Sequence, residues 1–431
     1  MTQKLVVALA LLFAASCTKR INECDSDADC TNPAYPFCDV DGQYAASGGQ
    51  KNVCTIVPPN CPVSRCGCDP GAVTCGSDTL LTCNADGKSQ TMATCSLGCE
   101  GDGTACKTFA PSNGLGAALG AADSGSDIVF PASVLIDTDT GVVVDSGNLP
   151  VAVSSLVVTS DGADIRVYAA HSFAITTAYV SGSKSIAFVA PGEIVLNGAL
   201  FARASNDEGG PGASFAPASS DGVNGNGGGG GGGNGTAGGY GADGPGLVSA
   251  PGGAALLTFE PLVGGGYGGE GSAGFPSGAG GGAVELVSLT SIDVASGGVI
   301  DVGGGGGDDG AGGGAGGTVV LEAPTVTIDG TLAANGGGGG GCGASGSDAT
   351  EDETPAAGVS CGTSPKISYS GAGGTVTSAA GNGHSTLAGT ASFGGGGAVG
   401  RAAITTQSGT YAAGSGSIVS AAVTSAQLVA E

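Results

Sequence analysis

Four carboxylates, Asp293, Asp301, Asp329 and Glu322, and four cations, Arg166, Lys184, Arg203 and Arg401, sit in or beside the strand-like segments of this 431-residue chain. Two carboxylates held about 5–9.5 Å apart can act as acid and base on a glycosidic bond. The alternation of residues around these four instead places them on the outward faces of strands, where solvation accounts for them. Each of the four cations reads as a structural side chain.

Other patterns are weaker. "GVSCG" at 358–362 fits the spacing of a nucleophile elbow, which needs a strand-to-helix turn and a partner His; here it falls in a polar loop beside a cysteine. "DGKS" at 86–89 has Thr82 where a phosphate loop needs Gly. "GGGGGDDGAGG" lacks the alternating apolar residue of calcium-binding Gly-Asp repeats, so Asp308 and Asp309 are poor ligands. "DSDAD" at 25–29 places Cys30 where a calcium loop needs Gly. Cys66 and Cys68 form C-x-C rather than C-x2-C, and His171 and His384 are distant in sequence. Asn234-Gly235-Thr236 is a formal glycosylation acceptor. No catalytic residue, metal or cofactor is expected.

Cysteine use says more. Of 15 cysteines, Cys17 ends a short apolar run after Lys4, and 14 remain. Cys24, Cys30, Cys38, Cys54, Cys61 and Cys66 form one group. Cys68, Cys75, Cys83, Cys95, Cys99 and Cys106 form a second, and Cys342 and Cys361 flank one acidic loop. Seven disulfides account for all 14, and such density belongs to an oxidising compartment. Segments of some 40 residues bury too little apolar surface to fold unaided, which disulfides remedy. Six cysteines leave 15 pairings open.

The run from Leu5 to Ser16 is too short to span a bilayer and reads as an export signal. With "AASC" it resembles the bacterial lipobox, although Ala14 stands where Leu, Val or Ile is usual. The resemblance implies lipid on Cys17 as the new N-terminus, and Thr18 in place of Asp implies the outer membrane. The charge balance, 12 Lys+Arg against 37 Asp+Glu and net −25, disfavours nucleic acid, whose binding relies on cations displacing counterions. The expected partners are the membrane, through the lipid, and extracellular polysaccharide or envelope components.

What positions these groups is a long repetitive region. "GGAVEL" at 281–286 returns as "GGTVVL" at 316–321, and "APGEIVLNGAL" at 190–200 returns as "APTVTIDGTL" at 323–332. Ile194, Leu196 and Leu200 thereby correspond to Val326, Ile328 and Leu332, with Ile292, Val294 and Ile300 of "TSIDVASGGVIDVGGGGG" as a third copy. Asn197-Gly198 and Asp329-Gly330 take the corner, where positive φ is expected. Strand, corner, strand and loop repeated in one direction predict an all-β fold, a right-handed parallel β-helix-like solenoid with Gly-rich loop insertions, preceded by small disulfide-rich modules. Only "GLGAALGAAD" near residue 114 reads as helical.

Glycine supplies 89 residues. Its dense stretches at 222–246, 264–282 and 303–317 are expected outside the sheets, as excursions between coils in which extended polyglycine segments lie against one another where no side chain fits. The organisation read from sequence is a signal peptide at 1–16, an anchored linker at 17–23, an EGF-like Cys-rich module at 24–66, a second at 67–110, and the Gly-rich domain at 111–425. The second module, with "LGC", a last Cys and "PSNGLG", resembles the Cys-rich segment that precedes a Gly-rich region in large secreted lipoproteins of myxobacteria, as does "GGTVVLEAP…GGGGGG". That resemblance implies architecture and a cell-surface address. The function expected is structural, adhesive or matrix contact without catalysis, with a β-helix carbohydrate-active enzyme as the alternative.

Overall fold

Alternating aliphatic residues in the larger part of the chain form three sheets built by repetition. The computed structural model describes residues 24, 30–31, 37–41, 51, 53–55, 68–76, 78–87, 89–122, 126–225, 227–243, 250–271, 274–363, 366–386 and 392–431. Signal segment, Cys17, Cys61 and Cys66 lie outside these. The chain divides into two compact units, 1–106 and 107–431.

In the larger unit the chain visits the three sheets in turn. The sequence Ser185–Ala190, Ile194–Leu196, Ala199–Phe201 is followed by Ala283–Ser288, Ser291–Val294, Val299–Asp301, and then by Thr318–Glu322, Thr325–Ile328, Thr331–Ala333. Each strand pairs in parallel with its counterpart one repeat later. The sheets hold seven, six and seven strands. The repeat correspondence is realised residue for residue: Ile194, Ile292 and Val326 are register neighbours, as are Leu196, Val294 and Ile328, and Leu200, Ile300 and Leu332. All nine side chains are buried in one core. Phe130, Phe173, Phe188 and Tyr168 fill its first repeats, with Phe173 and Phe188 edge-to-face at 5.2 Å.

The start of the stack departs from a one-directional repeat. Ser155–Ser160 pairs antiparallel with Ala163–Ala169, and Val143–Asp145 antiparallel with Val134–Asp137. The first hairpin turns on Asp161-Gly162, both at positive φ (46° and 87°), the Asp-Gly pair that a two-residue turn favours.

Corner glycines differ from the expectation. Neither Asn197 nor Asp329 has positive φ, nor do Gly198 and Gly330. Glycine is required there because a Cβ on Gly198 would overlap the Thr176 carbonyl and one on Gly330 the Gly298 carbonyl. The constraint is the stacking of one corner on the next.

The glycine runs are not solvent-facing loops. Residues 227–234, 302–307, 310–323 and 332–341 are buried without break. They carry their backbone hydrogen bonds to one another: Gly229 N–H to Gly310 O, Gly312 N–H to Gly269 O, Gly395 N–H to Gly229 O, Gly337 N–H to Gly314 O and Gly397 N–H to Gly337 O, at 2.8 to 2.9 Å. A Cβ on Gly312 would overlap the Gly230 carbonyl, and one on Gly394 that of Ala311. A glycine segment satisfies its buried peptide groups by accepting and donating sideways to several neighbours. The result is a second layer beside the sheets rather than a fringe around them.

In the smaller unit the cores are sulfur. Cys24–Cys38 and Cys30–Cys54 brace a two-stranded sheet of Phe37–Asp39 and Val53–Thr55. Cys68–Cys83, Cys75–Cys99 and Cys95–Cys106 brace three strands between Val73 and Thr94.

Overfilling a packed interior costs about 1–3 kcal/mol per site. Gly312→Ala is expected to destabilise by at least that much in a denaturant titration. Gly416→Ala, whose Cβ meets nothing within 4 Å, should change stability by less than about 0.5 kcal/mol.

Candidate functional site

Sheet periodicity turns alternate residues outward, and on the third sheet this brings Tyr179, Phe201 and Asp301 into one register row. Tyr179 and Phe201 stack at 5.1 Å, and the Arg203 guanidinium lies 5.2 Å from the Phe201 ring centre. Arg203 Nη1 donates to Asp301 Oδ2 at 3.2 Å and to Glu351 Oε1 at 3.5 Å. One arginine thus holds two carboxylates, 148 residues from the farther one. Asp301 was expected to face solvent as an outward strand residue. It is only 1% exposed, because the 342–361 loop folds back over it, and burial pushes its carboxyl up to about 6. Its oxygens are engaged, Oδ1 by Gly303 N–H and Oδ2 by Arg203. A carboxyl titrating near neutrality beside a guanidinium has acid-base chemistry available, yet the same contacts fasten the acidic loop to the sheet. Cys342–Cys361 closes the loop base.

A second cluster lies on the outer face of the first sheet. Glu285 is fully buried and Glu322 nearly so, against the expectation that Glu322 is solvated. The 3-10 turn Ser112–Gly114 lies against both, and the helix Gly116–Ala122 follows it over the strands Ala163–Ala169 and Ser185–Ala190. Ser112 N–H donates to Glu322 Oε2 and its hydroxyl to Glu285 Oε1, each at 2.9 Å. Asn113 Nδ2 donates to Glu285 Oε2 at 2.8 Å, and Asn113 N–H to Glu260 Oε1 at 3.3 Å. Burial, then the charge of Glu322, drives the Glu285 carboxyl well above its ordinary range. Burial likewise raises Glu322 to about 7. The cluster ties Ser112 and Asn113 to the sheet through neutral donors.

Arg401 sits on the same outer face. It is 3% exposed, donates to Thr318 Oγ1 and to the Thr258 carbonyl, and lies 4.8 Å from the Phe259 ring centre. Burial lowers it to about 10, which leaves it charged. Arg166 donates to the carbonyls of Thr138 and Asp139, and Lys184 pairs with Asp139 at 3.1 Å. These three serve structure, as their context in the sequence implies.

The remaining motifs resolve locally. Ser360 of "GVSCG" lies in an antiparallel hairpin, Ser360–Thr363 with Lys366–Tyr369, not at a strand-to-helix turn. His384 stacks on Tyr369 at 5.0 Å. Asp86 accepts from Ser89 N–H and hydroxyl, a local turn. Asp308 accepts from the Ser345 hydroxyl and Asp309 from Gly343 N–H, so both tie down the 342–345 turn. Asn234 is fully buried and donates to Gly316 O, which removes it from any glycosylation machinery. The sulfur groups Cys24, Cys30, Cys54 and Cys75, Cys95, Cys99 are close enough to hold a metal, but each sulfur is in a disulfide. Asp329 lines a shallow groove of about 480 Å³ with Ser296, Thr331 and Ser415. Glu285 had no sequence signal beyond its place in "GGAVEL", because its burial depends on residues 112–122 far upstream.

No known family, curated protein or solved structure matches the chain.

The buried carboxyls fix a pH dependence. Unfolded, Glu322 loses its proton near 4.5; folded, it keeps it to about 7. Between those values the folded state binds more protons, so stability falls as pH rises, and Glu285, also raised, adds to the fall in the same direction. Asp301 adds a fall in the same direction between 3.8 and about 6. Unfolding free energies from denaturant titrations between about pH 4.5 and 8 should decline by several kcal/mol, about 1.4 kcal/mol for each unit by which a carboxyl is raised. Glu322→Gln should remove part of that slope and leave the parts that belong to Asp301 and Glu285; an unchanged slope would show that this carboxyl is ionised in the fold.

Proposed function

We propose that this chain is an exported outer-membrane lipoprotein, anchored by lipid on Cys17, that displays a rigid body for structural, adhesive or matrix contact without catalysis. In this reading its kin are the Gly-rich, Cys-rich lipoproteins of myxobacteria. The three sheets are the faces of a right-handed parallel β-helix. Cyclic visiting of the sheets and in-register parallel pairing support that assignment, and the hand follows the strong preference of parallel crossovers. The two Cys-rich modules are spacers, and extracellular polysaccharide or envelope components are the contacts.

The observation that carries the reading is the interlocked glycine layer, in which buried backbones approach too closely for any side chain. Such a body resists deformation, and a displayed contact surface needs rigidity more than it needs a mobile cleft. Six disulfides among the described residues agree with life outside the cytosol.

A second reading, a carbohydrate-active enzyme, draws on Arg203 with Asp301 and Glu351. Against it, Asp301 is enclosed and both its oxygens are committed to partners.

Two measurements separate these. Cells fed a tagged fatty acid should label the wild-type chain, and Cys17→Ser should abolish both the label and membrane fractionation. Label that survives this substitution removes the anchor. The purified chain should release neither reducing ends nor unsaturated products from a panel of neutral and acidic polysaccharides. Product formation that Asp301→Asn eliminates would establish the enzyme instead.

A further inference from the structure

One of the two seven-stranded sheets, the first, runs in the order 422–427, 401–406, 318–322, 283–288, 185–190, 163–169, 155–160. Its two outermost strands, Ala422–Gln427 and Ser155–Ser160, each have six residues and pair with a strand on one side only. Among the described residues, no backbone donor or acceptor pairs with their outer edges. Natural sheets usually blunt such edges with charge, proline or a covering element. Here neither strand contains a charged residue or a proline, and all residues from 402 to 430 and from 146 to 160 are uncharged. In a chain of net charge −25, these are places where a second copy can approach without local repulsion.

Direction and surface agree with that occupant. Ser155–Ser160 is antiparallel to Ala163–Ala169, whereas Ala422–Gln427 and the intervening strands run parallel to it. A copy that points the same way along the stack therefore sets its Ser155–Ser160 edge antiparallel to the Ala422–Gln427 edge of the first. Equal strand lengths let all six positions pair. The first repeats also concentrate exposed aliphatics, Val129, Leu135, Val142, Leu149, Leu156 and Val157. At the other end Val423 and Val429 are exposed, and Tyr411 and Val419 leave the end of the core half covered.

We propose that this protein assembles head to tail, the Ala422–Gln427 edge of one copy pairing with the Ser155–Ser160 edge of the next to make one continuous sheet. The interface is heterologous, so each copy retains one free edge and growth is open-ended. Salt screens the repulsion between acidic copies and strengthens assembly. The inference rests on strand order and edge composition and is independent of lipid on Cys17.

The test uses the full chain with Cys17→Ser, so that no lipid drives association. Light scattering after size exclusion should show mass rising through successive multiples of the chain as protein and salt increase. Val157→Lys blocks one edge, and Thr424→Lys with Ala426→Lys blocks the other. Each variant alone should be monomeric at concentrations at least tenfold above those at which the wild type assembles. Mixed in equal amounts, the two variants should form a one-to-one dimer and nothing larger, because each still offers the edge the other lacks. That dimer also shows that both are folded. A wild type that stays monomeric at every concentration and salt overturns the proposal. So does a discrete dimer abolished by one variant only, which would indicate a two-fold interface, and so does a failure of the mixed variants to pair.

Discussion

The close approach of glycine backbones is the constraint on which the larger unit depends. A peptide group buried without a partner costs more than most side-chain contacts return. In the layer beside the sheets, runs from 222 to 400 satisfy one another's amides and carbonyls across distances that a methyl group would prevent. Glycine loses more conformational freedom on folding than any other residue. That loss is offset by hydrogen bonds between the buried runs and by anchorage to the sheets, at strands such as Thr331–Ala333 and Arg401–Thr406.

The sheets supply what glycine cannot. Their aliphatic columns, Ile194 through Val326 and Leu196 through Ile328, give the larger unit its apolar core and fix the register from which the glycine segments depart. A slip of one residue on any strand would turn its column outward. Register and glycine packing are therefore mutually enforcing: the corner at Gly198 fits against Thr176 only when the strands on either side are in step.

Charge is used sparingly, and a few charged side chains are buried, Glu285, Asp301, Glu322, Arg166 and Arg401 in the larger unit. Among the described residues Glu285 and Glu322 form no ion pair, and they hold Ser112 and Asn113 because burial favours their protonated forms and those two residues supply donors. Arg203 with Asp301 and Glu351 does the complementary task for the acidic loop, aided by Cys342–Cys361. Both arrangements close tertiary contacts over more than 90 residues of sequence. In the smaller unit, where little apolar surface is available, disulfides take over that role.

The sequence by itself determined the period. Strand faces repeat with spacing two, copies repeat as recognisable strings, and so Ile194, Ile292 and Val326 were legible as neighbours before any coordinates. Cysteine counting likewise assigned two self-contained groups, and the second group pairs entirely within itself. What only tertiary structure decided was burial that depends on distant chain. Alternation marks which residues leave the core but cannot reveal whether another layer waits on the outer side. Hence Asp301 and Glu322, assigned to solvent, lie beneath the acidic loop and the 112–122 segment. Composition marked the glycine runs as extended. Their conversion from excursions to an interior required several runs to meet, and the hydrogen bonds that stabilise them exist only once they do.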